Sequence, residues 1–97
     1  MRTIGHWING GVATGTSTRS SVVYNPATGQ QQAQVQLASA AEVHAVVEVA
    51  RVASEKWRRT GLSRRAEIMF RLRELIDANR NELAALVTAE HGKVLSD

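Results

Sequence analysis

Val22 to Glu42 reads VVYNPATGQQQAQVQLASAAE, and a change of period inside this stretch decides how the chain folds. Val22-Val23-Tyr24 is a β-branched and aromatic run, suited to a strand. In Asn25-Pro26-Ala27-Thr28-Gly29 the proline fixes φ and the glycine permits a left-handed step, so the chain turns. Ala33, Val35 and Leu37 then alternate with Gln32, Gln34 and Gln36, which is the period of a strand with one apolar and one wet face. The two runs are predicted to pair as an antiparallel hairpin. After Leu37 the pattern becomes helical. Ser39-Ala40-Ala41-Glu42 has the spacing of a capping box, in which the serine oxygen accepts an N–H and the glutamate reaches back.

Working outward towards the N-terminus, His6-Trp7-Ile8 and Val12-Ala13 flank Asn9-Gly10-Gly11. Asn-Gly favours a tight hairpin because both residues accept positive φ. Thr14 to Ser21 is rich in small polar residues and reads as a loop. Residues 1–38 are therefore assigned to hairpins and loops, and residues 39–92 to helices. A first helix is predicted from about Ala40 to Arg58. Val43, Val46, Val47, Ala50, Ser54 and Trp57 share one stripe, but Val49 and Val52 lie on the far side, so this helix needs cover on more than one side. Gly61 breaks the pattern, and Ser63 is the predicted cap of a second helix. Its stripe is Ile68, Leu72, Leu75 and Ile76, with Glu67–Arg71 and Arg73–Asp77 as outer i,i+4 pairs. Phe70 stands off that stripe. At Asn79-x-x-Glu82 either a third helix restarts or the second continues with a kink, the restart being favoured, and Gly92 is read as the residue that ends it.

The chain has 97 residues, 43% of them hydrophobic and 22% charged, within the range of an ordinary globular domain. Twelve Lys and Arg against nine Asp and Glu give a net charge of only +3, too small to imply a nucleic-acid or membrane partner. Cysteine is absent, which excludes disulfides, thiolate metal ligands and a cysteine nucleophile within the chain. Residues 1–6 lack the apolar core of a signal peptide, and no stretch is long enough to span a bilayer. A cytoplasmic protein is expected.

Signals for chemistry are few. Gly10 to Ser17 has the outline of a phosphate loop, but Thr16 replaces the lysine that such a loop needs. His6, His44 and His91 are scattered, and none has a second ligand one helical turn away. His44 is placed on a partly exposed helix side and His91 at a helix C-terminus. Arg58, Arg59, Arg64, Arg65, Arg71, Arg73 and Arg80 form a basic cluster. It reads either as a phosphate-binding patch or as a solvated face paired with Glu67, Glu74 and Asp77, and the second reading is favoured for want of aromatic nucleic-acid motifs. No Gly-x-Ser-x-Gly elbow is present. No catalytic, cofactor-binding or metal-binding residue is assigned.

Trp7-Ile8-Asn9-Gly10, Tyr24-Asn25-Pro26-Ala27-Thr28-Gly29, Arg65 opening an apolar helix, and Glu90-His91-Gly92-Lys93 together resemble the N-terminus of the aldehyde dehydrogenase superfamily. The run Ser63 to Arg71 and the end Gly92-Lys93-Val94-Leu95-Ser96-Asp97 resemble its CoA-acylating methylmalonate-semialdehyde dehydrogenase branch; other branches more often place a proline where Val94 stands. The resemblance implies an α/β fold, of which these residues form the N-terminal portion: two β-hairpins, then two or three α-helices, belonging to the cofactor-binding domain. It implies oxidation of a malonate-type semialdehyde with NAD and coenzyme A, loss of carbon dioxide, and a place in valine or thymine catabolism. It also implies that the catalytic cysteine lies beyond Asp97, that the parent is a homo-oligomer, and that the partner of this chain is the rest of that polypeptide. In some relatives main-chain oxygens near the positions of Val23 and Tyr24 hold a monovalent cation, which leaves no side-chain signature.

Two readings rival that of an inactive fragment of an enzyme. A free-standing, non-catalytic helical interaction or assembly module predicts a stop codon directly after residue 97. A nucleic-acid binder predicts retention that falls steeply with salt. The apolar faces are too many to satisfy one another, and Leu95-Ser96-Asp97 carries no terminal signal, so incompleteness is the expectation.

Overall fold

At the Asn9-Gly10 step φ is 53° and 80°, in a computed structural model that describes residues 1–97. Both values are left-handed, as a two-residue turn matched to strand twist requires. The turn joins β2 (His6–Ile8) to β3 (Gly11–Ala13) in a two-stranded antiparallel ribbon. The second hairpin pairs β4 (Ser20–Tyr24) with β5 (Gln31–Gln36). Its turn is tied internally: Asn25 Oδ1 accepts the Ala27 N–H at 2.9 Å, and Asn25 O accepts the Gly29 N–H at 2.8 Å. Gly29 has φ 73°, the left-handed step expected of it.

A strand unforeseen in the sequence joins this hairpin. β1 (Arg2–Ile4) pairs in parallel with β5, giving the order β1-β5-β4. Three residues are too few to show a period, and the partner lies some thirty positions away. β5 is thereby the central strand, and Ala33 at its middle is the one fully buried residue of the chain. The predicted wet face of β5 is corrected too. Gln32 and Gln36 are half-buried because their amides serve backbone groups. Gln32 Nε2 donates to Ala89 O at 2.9 Å, and Gln36 Oε1 accepts the Gly15 N–H at 3.1 Å.

α1 (Ala40–Trp57) starts with the full capping box at Ser39 and Glu42. α2 (Leu62–Ala78) follows after a short turn. Ser63 does not cap it; Gly61 holds the cap position with no side-chain bond, and Ser63 lies in the first turn. The corner is organised instead by Arg65, which donates to Trp57 O at 2.8 Å and to Thr60 O at 3.0 Å. That leaves room for helix to resume at Leu62. α3 (Arg80–His91) restarts after Asn79 and ends at Gly92, φ 83°, as read from the sequence. Asn79 contributes no side-chain cap; its Nδ2 donates back to Leu75 O at 2.8 Å. The ion pairs on α2 are spaced i,i+3, Arg64–Glu67 and Arg71–Glu74, and not the predicted i,i+4 pairs. All these groups are exposed, so small rotamer preferences decide between the two spacings.

The helices spread from the sheet into a slab. Its Cα extents are 47 × 38 × 15 Å, and the thin dimension is little more than one helix diameter. The radius of gyration is 17.1 Å, against about 13 Å for a compact domain of this length. The accessible surface is 8006 Å², where a compact monomer of this mass exposes roughly 5,500 Å². No helix of the structure is long and apolar enough to cross a membrane.

Candidate functional site

The most ordered polar cluster gathers around Glu42, in the first turn of α1. One carboxylate oxygen accepts the Ser39 and Ser17 N–H groups and the other accepts the Thr16 N–H, each at 3.1 Å. Two segments far apart in sequence are thus joined by one side chain: the loop after β3 and the start of α1. The Ser39 N–H foremost, then the Thr16 N–H, hold the Glu42 carboxyl below its ordinary value; partial burial opposes this, and the Ser39 hydroxyl and Ser17 N–H assist. His6 Nε2 lies 4.0 Å from the carboxylate, buried and without a hydrogen-bond partner. Gly15 passes so close that a Cβ there would sit 2.8 Å from Glu42 Oε2 and 2.9 Å from His6 Nε2.

This arrangement answers the phosphate-loop question. The N–H groups of Thr16 and Ser17 point at an anion, and that anion is the chain's own glutamate. They are not open to the phosphates of a dinucleotide or of coenzyme A. Nor do the strands build a nucleotide crevice: β1 and β5 are parallel, but a hairpin and an edge strand intervene where such a fold has a helix.

Other sequence candidates disperse. His44 and His91 are exposed on α1 and at the end of α3, and no three His, Asp or Glu side chains approach closely enough to hold a metal ion. Four of the seven clustered arginines are ion-paired, Arg58 with Glu55, Arg64 with Glu67, Arg71 with Glu74 and Arg80 with Asp77; Arg59 and Arg73 are not. Arg65 lies over the Trp57 ring, 5.2 Å from its centroid. At Val23 and Tyr24 the β4–β5 register shifts.

The larger feature is apolar. Trp57, Ile68 and the Ala50–Ala53 side of α1 line an open groove of about 780 Å³ at the α1–α2 corner. Met69, Phe70, Leu72 and Ile76 line another of about 690 Å³ along α2. Phe70 is 65% exposed, and Trp7, Val12, Val47 and Leu62 are more than half exposed as well. These exposed apolar side chains lie on the β2–β3 ribbon and on both α1 and α2. Sequence periodicity located these faces, including the misplaced Phe70. It gave no sign of the Glu42 bridge to Thr16 and Ser17, because backbone donors carry no residue code.

Residues 13–97 match the aldehyde dehydrogenase family. The chain is 43% identical over 96 residues to malonate-semialdehyde dehydrogenase 3 of Geobacillus kaustophilus, covering 99% of this chain and 20% of that protein. It is 35% identical over 97 residues to malonate-semialdehyde dehydrogenase of Pseudomonas aeruginosa, covering 100% of this chain and 19% of that protein. Its fold superimposes with a TM-score of 0.95 on a crystal structure from Sinorhizobium meliloti 1021, assigned as a methylmalonate-semialdehyde dehydrogenase and complexed with NAD. That match has 44% identity and covers all of this chain and 20% of the other. The chain spans about a fifth of the length of the relatives it matches.

Proposed function

The chain belongs to the aldehyde dehydrogenase family, and on that premise we propose that it is the N-terminal fifth of a malonate- or methylmalonate-semialdehyde dehydrogenase. The whole enzyme would oxidise the semialdehyde with NAD as hydride acceptor and pass the acyl group to coenzyme A with loss of carbon dioxide. The segment's part is structural. It has no cysteine to form a thioester, and the Thr16 and Ser17 N–H groups are taken by Glu42. Its apolar grooves are the seat for the rest of the polypeptide, within the cofactor-binding domain of a self-associating, cytoplasmic enzyme.

One observation carries this reading: full-length superposition on the N-terminal part of a dehydrogenase at 44% identity, by a chain in which Ala33 alone is buried. The test is NADH formation from malonate and methylmalonate semialdehydes. The polypeptide that carries this segment forms NADH with NAD and coenzyme A, and the 97-residue chain forms none. Turnover by the 97-residue chain overturns the structural role. Failure of the carrying polypeptide on both semialdehydes overturns the substrate.

A further inference from the structure

The four asparagines of the chain stand in different backbone settings, and one is set for chemistry on itself. Asn25 precedes Pro26, whose nitrogen bears no proton, and its Oδ1 already accepts the Ala27 N–H. Asn79 has its side-chain amide engaged with Leu75 O at 2.8 Å. Asn81 lies in the first turn of α3, where helical geometry fixes the backbone. Asn9 differs from all three. It is exposed at the tip of the β2–β3 ribbon with φ 53°. Gly10 follows with φ 80°, no atom lies within 4 Å of where its Cβ would be, and its N–H donates no hydrogen bond.

We propose that Asn9 is a site of spontaneous covalent modification, with the Gly10 main-chain nitrogen as its nucleophile. Base removes the Gly10 amide proton, and the nitrogen attacks Asn9 Cγ. The N–Cγ bond forms, the Cγ–Nδ2 bond breaks, and the leaving NH2 group takes one proton from water, replacing the one lost from Gly10, and departs as ammonia. The five-membered succinimide then adds one water. Opening at Cγ gives aspartate; opening at the main-chain carbonyl carbon gives isoaspartate. One water is consumed, one ammonia is released, and nothing is oxidised or reduced. Either product places a carboxylate where Asn9 shares a groove of about 330 Å³ with Glu48 of α1. Isoaspartate also adds a backbone carbon to a two-residue turn. The pairing His6↔Ala13 and Trp7↔Val12 cannot absorb it without slipping. The modification therefore loosens the ribbon.

The native polypeptide that carries this chain, and its Asn9→Gln variant, are held in mildly alkaline buffer and mapped by mass spectrometry with isoaspartate resolved. Conversion is expected at Asn9 well ahead of Asn25, Asn79 and Asn81, and absent at position 9 of the variant. No conversion at Asn9, or conversion at one rate across all four asparagines, overturns the proposal. In the isoaspartate-bearing fraction, hydrogen-exchange protection across His6–Ala13 is expected to be lost. Full retention of protection overturns the structural consequence.

Discussion

Glu42 illustrates how one side chain acquires meaning only in the folded chain. As the last residue of a capping box it needs a single N–H from Ser39. Here it also takes those of Thr16 and Ser17, and all three bonds are stronger to the charged carboxylate than to the neutral acid. Because its pKa is lowered by folding, proton uptake favours the unfolded state, and stability must fall with pH. The contribution is complete above the ordinary glutamate range and is lost as pH drops through and below it. Denaturant midpoints of the carrying polypeptide and of its Glu42→Gln variant should differ at neutral pH and converge in acid. A constant difference across that range would show that the charge is irrelevant. Gly15 is the second dependent residue. A Cβ there meets Glu42 Oε2 and His6 Nε2 below 3.0 Å, so Gly15→Ala is expected to cost about 1–3 kcal/mol, the usual range for overpacking. Equilibrium unfolding in denaturant measures it.

Among the elements, the α1–α2 corner depends on Arg65 more than on any cap. Its guanidinium closes the carbonyls of Trp57 and Thr60 and covers the Trp57 ring. An ammonium cannot serve that fork and stack together, so Arg65→Lys is expected to destabilise by about 1 kcal/mol. Urea unfolding gives the value, and an unchanged midpoint would make the contact ornamental. The corner also shows which structure a sequence displays. The Asn9-Gly10 turn, the Asn25–Gly29 turn, the Ser39–Glu42 box and Gly92 were legible because each is a local bargain among neighbouring residues. Ser63 looked like a cap by the same local rule and failed, since the helix starts one residue before it, at Leu62, with Gly61 at the cap position. β1 was invisible for a related reason: only its partner β5 makes Arg2–Ile4 a strand. The glutamines of β5 read as wet because alternation reports polarity, and a polar side chain bonded to a buried backbone group has the same letter as a solvated one.

For the whole molecule the deciding quantity is surface. An excess of roughly 2,500 Å² over a compact monomer, on a slab 15 Å thick, is comparable to an obligate interface. On the proposed function, the exposed apolar residues on α1 and α2 are the seat of the rest of the polypeptide. This yields a differential test. Phe70 is 65% exposed. Within the 97-residue chain, Phe70→Ala is expected to change helicity and stability by no more than about 0.5 kcal/mol, as for a surface site. In the longer polypeptide the same substitution empties a core position and is expected to cost about 3–5 kcal/mol. Circular dichroism of the chain, set beside urea unfolding of the polypeptide, reads both values. Equal and small effects in the two would mean that α2 stays uncovered in the assembled protein. The apolar face would then be free for some other occupant, and the proposed seat would be lost with it. Equal and large effects would mean that the chain packs on itself around Phe70, which a radius of gyration of 17.1 Å does not allow.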